Sequence, residues 1–152
     1  MRRLLALVAL LAVSPLARPA DPCSQAYADR GATAAFSKCR RAAKSGNAES
    51  QFGYGLVLWS GKGRSASQAE ALEWLRRSAR QAHLLARITL GRFLTSEDLA
   101  PELRNRAEGY AWWVLAGEKD AASNLKGRLS STELVEGESL VTEFLREYGA
   151  SR

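Results

Sequence analysis

Apolar residues recur along this chain three and four positions apart, and nowhere do they alternate with period two. The pattern predicts helices and no strand. From Gln68 to about Gln81, the residues Ala71, Leu72, Trp74, Leu75, Ser78 and Ala79 form one stripe. Glu70, Glu73, Arg76, Arg77 and Arg80 fall on the polar side, where a solvated face is expected. The same reasoning predicts helices over Pro22 to about Arg30, Thr33 to about Ser45, Ala48 to Ser60, Leu84 to about Leu94, and Asn105 to about Gly117. A helical segment then leads from Asp120 to Leu129, and a last helix from Ser131 to about Tyr148. Leu134, Val135, Leu140, Val141, Phe144 and Leu145 are expected to make one face of that last helix and to cap the open end of a stack.

The breaks between these segments carry their own signals. Asp21-Pro22 suits a helix start, with Asp as N-cap and Pro in the first turn. Gly31, Gly46 and Gly61-Lys62-Gly63 end helices, because glycine accepts the left-handed conformation that a helix C-terminus often needs. Ser65 or Ser67 caps the helix that follows. Pro101 forbids a continuous helix through residues 95–104.

The segments repeat. The run Ala48 to Ala82 has a degraded copy from Leu84 to about Gly117, and Gly55 and Gly91 hold the same place 36 residues apart. Ala35, Ala43 and Gly46 stand 36 residues before Ala71, Ala79 and Ala82, the trailing half of a further copy. This period belongs to stacked helix-turn-helix units. The expected organisation is a leader at 1–20 and one α/α domain at 21–152. That domain divides into a half unit 21–46, a unit 47–82, a unit 83–119 and a C-terminal cap 120–148. Gly55 and Gly91 are expected to remove a side chain where the two helices of a unit cross, with Ala71 doing so from the opposite helix. Tyr54, Leu58 and Trp74 fill the rest.

One pattern is more specific than periodicity. Ala48, Phe52, Gly55, Gly61, Gly63, Ala69, Ala71, Trp74, Ala79 and Ala82 form a spaced motif, and Gly91, Ala107, Tyr110, Trp112 and Ala116 repeat part of it. The motif resembles the Sel-1-like repeat (SLR), a tetratricopeptide-related α/α motif, in its exported bacterial type. The second unit lacks the Gly-x-Gly turn. The resemblance implies an all-α, α/α solenoid with a C-terminal capping helix. It also implies a protein-protein interaction adaptor that binds a protein or peptide on a concave surface made by the first helix of each unit. On this chain that groove is expected at Phe52, Leu56, Trp59, Ile88 and Arg92, with Glu49, Ser60, Leu85, Thr89 and Thr95 around it. The competing expectation is that the helix from Pro22 to Arg30 covers part of the stripe. The resemblance also keeps two alternatives: a β-lactam-binding or hydrolysing enzyme of the secreted Sel-1-like type, and a regulator or chaperone of an envelope enzyme.

Charge and chemistry narrow this. Arg2 and Arg3, the apolar run Leu4 to Val13 and the small residues to Ala20 read as a cleaved secretory signal. An uncleaved anchor is the alternative. Of the 22 basic residues three lie in that leader, and of the 16 acidic ones none, so the remainder carries 19 against 16, a net charge of +3. That mild excess does not argue for nucleic acid. A periplasmic or secreted location makes a disulfide between Cys23 and Cys39 the simplest use of the two cysteines. They and the single histidine, His83, cannot build a tetrahedral metal site, so no metal and no cofactor is expected. His83 reads as a helix-end residue at the junction between units, and no Gly-x-Ser-x-Gly, His-Glu-x-x-His, phosphate loop or Ser-x-x-Lys occurs, so no catalytic residue is assigned.

Overall fold

The computed structural model describes residues 23, 36–60 and 67–148, and every regular element among them is helical. A helix over 36–44 (α1) comes first. It is followed by α2 (Ala48–Trp59), α3 (Gln68–Arg80), α4 (Leu84–Leu94), a short 3-10 turn at Pro101–Leu103, α5 (Arg106–Ala116), α6 (Lys119–Lys126) and α7 (Ser131–Tyr148). Each helix packs on the next from α2 to α6, and α7 lies along α5. The result is the α/α solenoid with a C-terminal capping helix that the periodicity predicts. No helix among the described residues is long and apolar enough to cross a membrane.

The helix starts are set by side chains that satisfy otherwise orphaned backbone N–H groups. Asn47 Oδ1 accepts from Ser50 N, and 36 residues later His83 Nδ1 accepts from Ala86 N. Ser67 Oγ accepts from Glu70 N, and 38 residues later Asn105 Oδ1 accepts from Glu108 N. The two extra residues fall in the loop 95–104, which folds rather than flops. Leu99 is buried there, Gln68 bonds Asp98 O and Ala100 N, and Arg104 bonds Leu99 O and Glu97 O. The reversals that precede α2, α4 and α6 each use one left-handed residue: Gly46 (φ 91°), Ala82 (φ 60°) and Gly117 (φ 77°).

The six residues expected to form the buried stripe of α3 are its buried residues. Tyr54, Leu58 and Trp74 are buried as well. The helix crossings are as close as the glycines suggest. A Cβ on Gly55 would lie 2.9 Å from Leu75 Cγ and 3.2 Å from the Ala71 carbonyl oxygen. One on Gly91 would lie 2.7 Å from the Trp113 ring. Gly109 holds the place of Ala71, 38 residues on, against Thr95 and the Gly91 carbonyl, and Gly137 lets α7 approach Tyr110 and Ala107. Cys23 and Cys39 are joined by a disulfide and buried beside Ala43, Tyr54 and Trp74.

Several expectations need correction. Val135 and Leu145 are 70% and 55% exposed, so the buried face of α7 is narrower and rests on Gly137 and Phe144, with Leu140 and Val141 partly covered. The last helix does start at Ser131, as expected, and Ser130 caps it: Ser130 Oγ accepts from Glu133 N while the Glu133 carboxylate accepts from Ser130 N, a reciprocal capping box. Arg76 does not lie on a merely solvated face, as described below. The leader, the Asp21-Pro22 helix start, Gly31, and the turn with Gly61, Gly63 and Ser65 lie outside the described residues.

Candidate interaction surface

The expected groove residues lie on the first helices of the two hairpins, Phe52, Leu56 and Trp59 on α2 and Ile88 and Arg92 on α4. Phe52, Leu56, Trp59 and Ile88 are half-buried there, and Arg92 is exposed. Two of the five are already engaged. The Trp59 indole stacks on Phe93 with ring centres 3.7 Å apart and planes 13° from parallel. The Phe52 ring lies 4.9 Å from the His83 ring. Trp59 also packs against both large core clusters. It is therefore a strut between hairpins, already packed where the groove expectation has it free for a partner. Phe93 was not legible as a partner. Spacing within one helix says nothing about which residue of the next helix it meets.

The rest of the region is fixed by polar contacts, some within a hairpin and some between the two. His83 Nδ1 accepts from Ala86 N, so Nε2 carries the hydrogen and donates to Glu49 Oε2 at 2.9 Å. The sole histidine thus has both ring nitrogens occupied in a structural role. Gln81 bonds Gln51, and Ser78 Oγ donates to Ala48 O. Arg87 donates from Nε to Ala79 O and from Nη1 to Leu115 O, closing the C-terminal ends of α3 and α5. Its burial lowers the pKa of its guanidinium.

On the opposite side, Arg76 reaches across from α3 to α5. Its Nε and Nη2 donate to the two carboxylate oxygens of Glu108, each at 2.7 Å, while Nη1 donates to Glu73. Glu108 is buried and also accepts from the Trp112 indole N–H at 3.0 Å. The hydrogen bond to Glu108 is the main cause of a raised Arg76 pKa. A forked guanidinium on a buried carboxylate is a strong, directional link. Arg77 instead spreads over the Trp74 ring, 4.4 Å from its centre. Among the described residues no three His, Cys, Asp or Glu side chains converge to hold a metal.

No protein-family model matches the chain, and no curated protein is found similar to it. Among solved structures, it is similar to a protective antigen present in uropathogenic Escherichia coli strains that displays an SLR fold. The likeness has a TM-score of 0.61 and 24% sequence identity, and it covers 75% of this chain and 26% of the other. The chain thus spans about a quarter of that protein's length. The helix order, the close glycine crossings and this likeness agree that the chain has the fold of a Sel-1-like repeat solenoid.

Proposed function

We propose that the protein is an adaptor of the periplasm or the extracellular space, holding a protein or peptide segment on the face formed by α2 and α4. The Trp59–Phe93 stack carries this reading. It locks the two first helices together, so the surface around it is ordered before any partner arrives and association costs less entropy. Leu56 and Ile88 are the half-buried apolar residues left for contact, and Arg92 stands exposed beside them. Leu84 and Leu85, 53% and 54% exposed at the start of α4, extend the apolar area. Arginine is among the residues that most often anchor interfaces. The buried disulfide favours an oxidising compartment. Nothing comparable favours the hydrolase alternative, since His83 is held by its cap and by Glu49.

The test is capture of a partner from envelope extract by the mature chain, compared with Leu56→Ala/Arg92→Ala. Loss of a central anchor costs about 2 kcal/mol or more, roughly a thirtyfold loss of affinity. The double variant should lose the partner while its melting stays cooperative and near the wild-type temperature. Undiminished capture by a folded double variant would contradict the proposal.

A further inference from the structure

Beyond the tip of α4, a cavity of about 330 Å³ opens between the loop 95–104, the start of α5 and the outer half of α6. None of the five groove residues lines it. Its walls carry three arginines, Arg104, Arg106 and Arg128, against one carboxylate, Glu97, and both Arg128 and Asn124 are exposed to solvent. Arg128 makes no ion pair or side-chain hydrogen bond among the described residues, and neither does the Asn124 amide or the Trp113 indole N–H. Arg106 bonds the Arg128 carbonyl oxygen and pairs with Glu133, which fixes the backbone from which the Arg128 side chain springs. Arg104 uses Nε and Nη2 on the loop carbonyls of Leu99 and Glu97, and its Nη1 on the Glu97 carboxylate at 2.9 Å. That carboxylate is 87% exposed. It is a tenant that water already surrounds, and an exposed pair of this kind is worth little.

We propose that this cavity is a carboxylate-binding site, in which a ligand carboxylate displaces Glu97 from Arg104 Nη1 and is clasped from the other side by Arg128 and Asn124. Arg104 keeps both loop carbonyls throughout, so the loop does not have to refold when the exchange occurs. The Trp113 indole supplies an apolar wall with one spare donor, so the best ligand is an acid next to an apolar group. An acidic residue of a chain segment meets that description, as does a small free dicarboxylate.

The mature chain, labelled with nitrogen-15, can be titrated with N-acetyl-Leu-Glu-Leu-amide, with its Gln counterpart, and with glutarate. Saturable shifts of the Arg128 Nε–H and Trp113 indole N–H signals are expected with the Glu peptide and not with the Gln peptide. Tighter binding of the Glu peptide than of glutarate marks a chain segment as the ligand, and equal binding marks a small acid. Arg128→Ala, which removes no intramolecular bond, should weaken binding roughly tenfold. Glu97→Ala should strengthen it by about two- to fivefold, because the competing carboxylate is gone. Arg92→Ala, on the adaptor face, should change nothing, which separates this site from that one. No shift at millimolar peptide, equal shifts with the Gln peptide, or weaker binding to Glu97→Ala would overturn the proposal.

Discussion

Single positions without a side chain decide how near the helices come. Gly55 faces Leu75 and the Ala71 carbonyl so closely that even a methyl group would force Leu75 to move. Gly55→Leu is therefore expected to destabilise by about 1–3 kcal/mol through overpacking, read as a lower urea midpoint. A midpoint equal to the wild type's would mean that α2 and α3 do not cross there. Ala82 is the opposite case. It holds a left-handed φ of 60° where the corresponding reversals use Gly46 and Gly117. That conformation costs a β-carbon-bearing residue about 1–2 kcal/mol. Part of this is offset by glycine's greater freedom in the unfolded chain. Ala82→Gly should then raise stability by about 0.5–1 kcal/mol, with the urea slope unchanged. Gly55 was legible because a copy stands 36 residues away. Gly109 was not singled out, although it follows Ala71 by 38 residues, the repeat spacing plus the two inserted in the loop. Gly137 has no copy at all, so only the packing of α7 reveals it.

At the scale of helices, periodicity located the buried stripe of α3 and most helix ends, but it described each helix alone. A helical wheel puts Arg76 on the polar side, which is true of α3 and misleading for the molecule. The buried Glu108 that Arg76 meets belongs to α5, 32 residues away. Arg76→Ala would leave that carboxylate buried beside Trp112 with one partner fewer, at a cost of about 1–3 kcal/mol. Adding Glu108→Gln should recover part of the loss, because the charge that lacks compensation is removed. Purely additive destabilisation in the double variant would refute the coupling. The start of α7 offers a second check. Hydrogen bonds from the backbone and hydroxyl of Ser130 lower the Glu133 pKa, with Arg106 adding to the effect. A carboxylate whose folded pKa is depressed contributes stability above its unfolded pKa and loses it as pH falls through the folded value. Ser130→Ala should move the Glu133 pKa upward in a carboxyl carbon-13 titration. An unmoved titration would mean that the capping box does not hold in solution.

For the whole molecule, the hairpins are joined by specific struts, among them Trp59 on Phe93, Arg76 on Glu108, and Arg87 across two helix ends. Because Trp59 is a strut, Trp59→Ala should destabilise by about 3 kcal/mol, which shows as a lower melting temperature. A melting temperature within experimental scatter of the wild type's would return Trp59 to the status of a surface anchor. That is why Leu56 and Arg92 are the better probes of binding. The central claim is that a partner segment lies along α2 and α4. Amide hydrogen exchange of the captured complex measures this directly. The account predicts added protection within Ala48–Trp59 and Leu84–Leu94 and little change in Gln68–Arg80 or Ser131–Tyr148. Protection concentrated on α3 or α7 instead, with α2 and α4 unchanged, would contradict it.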